Sequence, residues 1–393
     1  MALRPGRRLL LVETLRSVAR ATARGTADND AYVQAAVSWL CRAQDVSGDG
    51  GVAHSFSLTQ GWARSYPETT GYIIPTMLNY SRVYGDASIR ERALRMADWL
   101  VKIQLDGGGI QAGTTLDNPA LPTIFNTGQV LFGWASAYEE TQKESYLQAM
   151  LRAADWLLEM QDTDGAWRNG RSPHVSYAIN TYNTRTAWSL CRTYEITGRP
   201  EYREAALRNV RWALTQQTST GWLELNCLSD RARPLTHTIA YAIRGILEVG
   251  ASSEDESFVQ AARRAADALL VVQRSDGSLA GRYSEHWSPE VSWSCLTGNV
   301  QTGIIWGRLY QVCGGERYLD AARKTNRYVT SRVNLSSSEP GIRGGVSGSW
   351  PIWGEYGKFQ YLSWAAKFLV DSLMLENALA GKNQGHPVLT LDG

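Results

Sequence analysis

A tryptophan followed five residues later by a glutamine, and then by a glycine-rich turn, recurs along this chain. Such a recurrence limits the fold before any other feature does. It stands in VSWLCRAQDVSGDGG (Trp39, Gln44), ADWLVKIQLDGGG (Trp99, Gln104), ADWLLEMQDTDG (Trp156, Gln161) and VRWALTQQTSTG (Trp212, Gln217). ADALLVVQRSDG keeps Gln273 but has Ala268 in place of the tryptophan, and the glutamines follow one another at 60, 57, 56 and 56 residues. Each unit holds two helix signals. The first is one-sided, as in YLQAMLRAADWLLEMQ, where Leu147, Met150, Leu151, Ala154, Leu157 and Leu158 keep the i, i+3, i+4 rhythm. The second, as in TGQVLFGWASAY or NTRTAWSLCRTY, is apolar on nearly all sides and predicts a buried helix.

Such a pair cannot bury its inner face alone, and closing five or six pairs into a ring solves the problem. The expected fold is therefore all-α, an (α/α)6 toroid with apolar helices inside and one-sided helices outside. FQYLSWAAKFLVDSLML supplies a sixth inner helix, and YLDAARKTNRYVTSRV a sixth outer helix without the Trp or the Gln. The expected organisation is a loosely attached segment over 1–30, one toroid domain over 31–380 and a tail over 381–393. At the end of each outer helix the Gln amide is expected to satisfy carbonyls lacking intrahelical partners and to reach the neighbouring turn, with Trp167 or Trp222 covering the joint.

Composition narrows the function classes. With 44% apolar and 20% charged residues and no apolar run of 18, the chain reads as soluble, without an integral membrane segment. Forty basic against 38 acidic residues leave +2, too little to argue for a nucleic-acid partner. Glu13 interrupts the LLLV run that imitates a secretory signal, and five scattered cysteines without a CxxC pair suggest neither a disulfide framework nor a zinc ribbon. The expectation is a cytoplasmic protein with no cofactor and no metal.

The W-x4-Q-x(2-5)-G pattern resembles the repeats of squalene cyclases and related prenyltransferase toroids, which implies the architecture and not a terpene substrate. DxDD and DDxxD motifs are absent, disfavouring a terpenoid cyclase, and Asp230, Cys227 and His237 match no recognised zinc spacing. SYPETTGYIIPTMLNYSRVYGD, FNTGQVLFGW, THTIAYAIRG and SCLTGNVQ are similar to toroid proteins associated with bacterial exopolysaccharide biosynthesis. That likeness implies an oligo- or polysaccharide substrate.

Counting back 13 positions from the turn closing each inner helix (Gly85, Gln142, Gly198, Gly250, Gly314) gives Tyr72, Gln129, Arg185, His237 and Gln301. These five polar residues share one register and are expected to face one central cavity. Thr70, Thr127, Asn183 and Thr236 nearby read as helix caps. Helix N-termini and the arginines near them favour an anionic guest such as a uronic acid. Asn183, Arg185, His237 and Tyr241 match by residue type the Asn, His, Tyr, Arg set of toroidal polysaccharide lyases. That likeness implies β-elimination or epimerisation at a uronate, with Tyr241 moving the proton, His237 and Asn183 at the carboxylate and Arg185 as charge anchor. Tyr72, Asn126, Gln129, Asn299 and Gln301, with Trp353, Glu355 and Lys358 from the loop before the last helix, are the expected sugar-binding residues. The alternative is a glycoside hydrolase, which needs two carboxylates about 5 to 9 Å apart. Glu68 is the best-placed first acid, and Glu224, Asp230, Glu285, Glu290 and Glu355 are candidates for the second. A binding protein without turnover is the third possibility.

Overall fold

The computed structural model describes residues 5–18 and 28–382. After α1 (Pro5–Val18), six outer helices alternate with six inner ones. The outer set is α2 (Asn29–Asp45), α4 (Ala87–Ile103), α6 (Glu144–Glu159), α8 (Pro200–Leu214), α10 (Glu256–Val271) and α12 (Glu316–Thr330). The inner set is α3 (Pro67–Tyr84), α5 (Ile124–Thr141), α7 (Thr184–Thr197), α9 (Thr236–Ser253), α11 (Leu296–Cys313) and α13 (Ser363–Leu379). Each inner helix packs on the next, and α13 returns to α3, so the (α/α)6 ring closes. The closing pair joins the two ends of the ring: α2, its first outer helix, lies on α13, its last inner one. Asn377 locks this seam, accepting from Asn29 Nδ2 at 3.1 Å and donating to Asp30 at 2.9 Å.

The repeated glutamines make one geometry five times over. Gln44, Gln104, Gln161, Gln217 and Gln273 each donate from Nε2 to the turn glycine ahead (Gly50, Gly108, Gly165, Gly221, Gly277) and to a carbonyl of the next outer helix (Arg92, Ala149, Ala205, Ala261, Ala321). The turn must be glycine because φ is positive, +88° at Gly277, and a Cβ there would collide with the Lys324 carbonyl. A further repeat escaped the sequence reading: an arginine of the next outer helix, Arg92, Arg152, Arg208 or Arg264, donates back to the glutamine oxygen.

Two short sheets rim the end where the inner helices begin. β1 (Ser55–Ser57) pairs antiparallel with β2 (Gly61–Trp62) and β5 (Gln360–Leu362), and β3 (Ser294–Cys295) pairs with β4 (Ser349–Trp350). The expected loose segment over 1–30 needs correcting where it is described. α1 is docked: Glu13 is buried and accepts from the Tyr361 hydroxyl at 2.8 Å, and α2 already begins at Asn29. Residues 1–4, 19–27 and 383–393, the last holding nearly all of the expected tail, lie outside the described residues. No helix among those described is long and apolar enough to cross a membrane.

Candidate active site

The inner helices present their first two turns to the ring axis in layers. One register entry was misplaced: α9 does not stop at Gly250 but runs to Ser253, with Glu254 in the left-handed cap at φ 57°. Counting back 13 from Glu254 gives Tyr241. The lower layer is therefore Tyr72, Gln129, Arg185, Tyr241, Gln301 and Phe368, and His237 stands one turn nearer the mouth, level with Glu68, Phe125 and Trp364.

Above the lower layer lies a cavity of about 200 Å³. Its wall includes Glu68, Tyr72, Asn126, Asn183, His237 and Tyr241 from the expected set, and His54, Tyr66, Phe125, Asn180, Tyr182, Tyr356 and Trp364 besides. Residues 169–175, with Arg171 and His174, reach over it from the α6–α7 connection. Gln129, Arg185 and Gln301 are not wall residues, so the five counted positions do not all face one bowl. Gln129, Arg185 and Gln301 form the support beneath it. Asn299 is elsewhere again: its side chain accepts from Leu279 N–H at 2.8 Å and donates to Cys295 O at 2.7 Å, tying loop to helix. Trp353, Glu355 and Lys358 also miss the wall; Glu355 is exposed and pairs with Arg282 at 3.1 Å. Their loop sends in Tyr356 instead.

The expected caps act differently. Thr70 and Thr127 donate to carbonyls four residues back, at 2.8 and 2.7 Å, and accept from Val52 and Ile110 N–H, so they hold the preceding loops. Thr236 donates to Ala280 O. Asn183 occupies the cap position of α7 without a capping bond, and its Oδ1 is buried without a partner.

Glu68 is the one carboxylate among the wall residues described. Burial raises its pKa to about 7, although the Tyr66 hydroxyl donating at 2.8 Å and the nearby Arg185 charge pull the other way. His237 is neutral: burial lowers its pKa to about 3, against the Gln301 bond, which raises it. Its Nδ1 lies 2.8 Å from Gln301 Oε1, which can only accept, so Nδ1 carries the proton and Nε2 the lone pair. Burial pushes the Tyr241 phenol above its ordinary range.

Arg185 is 1% exposed, with its guanidinium carbon 4.9 to 5.8 Å from the ring centres of Tyr72, Phe132, Trp188, Tyr241 and Phe368. Its Nε donates to Gln129 at 2.7 Å, while Nη2 and Gln129 Nε2 have no hydrogen-bond partner among the described residues, and the Tyr72 and Tyr241 hydroxyls interact with each other. The adjoining Lys367, in contrast, pairs with Asp371 at 2.7 Å. A buried guanidinium without a carboxylate leaves the floor of the cavity electropositive. The N-termini of α3, α5 and α9, whose first residues line the wall, add to that field. No cluster of three or more His, Cys, Asp or Glu side chains able to hold a metal occurs among the described residues. Of the wall residues that the sequence reading missed, His54, Asn180 and Tyr356 come from connections without periodicity, whereas Tyr66, Phe125, Tyr182 and Trp364 adjoin signals it used.

The fold is similar to that of carbohydrate enzymes. An unsaturated glucuronyl hydrolase specific for heparin superposes with a TM-score of 0.72 at 17% identity, over 89% of this chain and 97% of that one. The unsaturated glucuronyl hydrolase from Bacillus sp. GL1 gives 0.71 at 18%, over 90% and 97%. Cellobiose 2-epimerase from Bacillus thermoamylovorans B4167 gives 0.66 at 12%, over 86% and 95%. The squalene-cyclase likeness thus carried the architecture and not the chemistry. Among curated proteins, none matches the sequence. Residues 10–270 match the β-L-arabinofuranosidase GH127 catalytic domain. That span exceeds half of the 393 residues, and the protein is accordingly a carbohydrate-active enzyme belonging to the β-L-arabinofuranosidase GH127 catalytic-domain family.

Proposed function

We propose that the protein removes a terminal uronyl residue, unsaturated between C4 and C5, from an oligosaccharide, with Glu68 as the proton-transfer group. The carrying observation is that Glu68 is the one carboxylate on the described wall, with a pKa about 7. Hydrolysis of an ordinary glycoside by two carboxylates needs a second acid across the bond. Of the expected second acids, none is on the wall: Asp230 is held by Arg233 at 3.0 Å and Glu355 by Arg282.

A substrate that carries an enol ether makes the second acid unnecessary. Protonation of C4 by Glu68 gives an oxocarbenium ion at C5, and water adds there as Glu68 takes a proton back. The C5 hemiketal then opens, and the C1 hemiacetal left behind expels the rest of the chain. One water is consumed and Glu68 is restored. An acid with a pKa near neutrality suits both proton transfers. The electropositive floor and helix N-termini favour the uronate carboxylate, Phe125, Tyr182, Tyr356 and Trp364 offer rings to the sugar faces, and the buried oxygens of Asn180 and Asn183 are acceptors for its hydroxyls. Two solved structures of similar fold are unsaturated glucuronyl hydrolases, one of them specific for heparin, which supports this reading. Elimination or epimerisation through Tyr241 is the weaker reading, because burial holds that phenol protonated.

Incubation with unsaturated uronyl disaccharides, saturated uronates and neutral glycans tests this. Loss of the ultraviolet absorbance of the conjugated double bond, with release of the neighbouring sugar, is expected from the first group alone. A gain in that absorbance from a saturated uronate would establish elimination instead, and turnover of neutral glycans alone would remove the uronate from the account.

A further inference from the structure

The helix α1 is built inside out. Its polar side chains face the body: Glu13 and Ser17 are 2% and 5% exposed, Ser17 accepts from Ile352 N–H at 3.3 Å, and Arg16 donates to Arg332 O at 2.9 Å. Leu9 and Leu10 pack against the core at the start of the described part, but the later apolar side chains of the same helix face outward. Leu11, Val12, Leu15 and Val18 form one stripe, 49, 50, 57 and 61% exposed. A helix lying on a water-soluble body normally does the reverse. Trp353, 39% exposed, follows directly on Ile352, the residue that Ser17 holds, and so lies near the C-terminal half of α1.

Charge decides what covers this surface. Six arginines (Arg4, Arg7, Arg8, Arg16, Arg20, Arg24) fall within residues 1–25 against one carboxylate, Glu13, which is buried against the body. A second copy seated on the stripe would bring two such segments together at a cost in repulsion. An anionic bilayer surface would neutralise the arginines and take the leucines, valines and indole into the boundary between headgroups and acyl chains. We propose that α1 and Trp353 seat the protein on an anionic lipid surface. Ile352 and Tyr361, which hold α1, belong to the loop that carries Tyr356 to the cavity wall, so the seat lies at the end of the toroid where the mouth opens.

The full chain is sedimented with vesicles of phosphatidylcholine alone and of phosphatidylcholine mixed with phosphatidylglycerol. Association with the anionic vesicles is expected to be at least about tenfold tighter and to fall as salt is raised. The double change Leu11→Glu/Leu15→Glu is expected to weaken it about tenfold or more, and Trp353→Ala by less. Val271→Glu, at a position 81% exposed on α10, leaves it unchanged. Replacing Arg4, Arg7 and Arg8 by Gln keeps the stripe and lowers vesicle binding through charge alone, which guards against a misfolded double variant. Equal binding to both vesicle types, no binding, or binding indifferent to the leucine changes would overturn the proposal. So would a wild-type dimer that the double change converts to monomer, because a second copy would then cover the stripe.

Discussion

The outer joints and the inner mouth of the ring are both made from polar residues at repeated helix positions, and their buried groups end in opposite states. At the joints the repeated groups are paired: each glutamine amide reaches two carbonyls, and Tyr146, Tyr202 and Tyr318 donate to Asp98, Asp155 and Asp267 at 2.9, 2.6 and 2.6 Å. At the mouth the Asn180 and Asn183 oxygens, and beneath it Arg185 Nη2 and Gln129 Nε2, are buried without partners among the described residues. An unmet buried polar group costs stability, so the joints hold the ring together while the mouth and its floor carry groups that lower its stability.

The largest break in this comparison comes from the mouth. Glu68→Gln is expected to lower kcat on an unsaturated uronyl disaccharide by about 10²- to 10⁴-fold while the melting midpoint holds or rises, since the amide replaces a carboxylate that resists ionisation. A fall in midpoint with kcat per folded molecule intact would place Glu68 among the structural residues.

Next comes a joint. Gly277→Ala forces a side chain into positive φ and against Lys324, which should cost about 2–4 kcal/mol in denaturant unfolding with kcat per folded molecule unchanged. Gln273→Ala, which removes the donor shared by the Gly277 and Ala321 carbonyls, should cost about 1–2 kcal/mol.

Titration sharpens the picture of the mouth next. Folding raises the Glu68 pKa from its ordinary 4.5 to about 7, so the folded chain binds the extra proton and this group's contribution to stability falls as pH rises through that window. His237 runs the other way. Its pKa drops from 6.5 to about 3, so the unfolded chain binds the proton and stability is lost as pH falls below about 6.5. Comparing stability against pH for wild type and Glu68→Gln should remove the first slope and keep the second. An unchanged profile would show that Glu68 ionises as it does in water.

The smallest and sharpest comparison is one substitution made in both regions. Tyr202→Phe loses the bond to Asp155 and should cost about 1 kcal/mol, whereas Tyr241→Phe gives up only the loose contact with the Tyr72 hydroxyl and should cost about 0–0.5 kcal/mol. Equal losses would mean that the Tyr241 hydroxyl is already satisfied, for example by ordered water.

The joints were legible in the sequence and the mouth only partly so. Gln, turn glycine and apolar rhythm belong to a single helix and its cap, so local spacing carries them. The lower layer was legible at Tyr72, Gln129, Arg185 and Gln301 for the same reason, each standing 13 residues before its closing turn. It failed at α9, where Gly250 looked like a stop but lies inside the helix, which put His237 in the place of Tyr241. Asn299 carried the right register and the wrong role, because only the packed loop shows that its amide is consumed by Leu279 and Cys295.

By itself the sequence determined an all-α ring of six helix pairs, its joints, and a polar end to its inner helices, because each follows from periodicity within one or two turns of chain. Tertiary structure alone decided that Glu68 stands without a second carboxylate, that Arg185 is caged under the floor, and that Tyr356 rather than Glu355 enters the wall. Those facts depend on segments far apart in sequence meeting at the ring axis, where burial and field set the ionisation of each group.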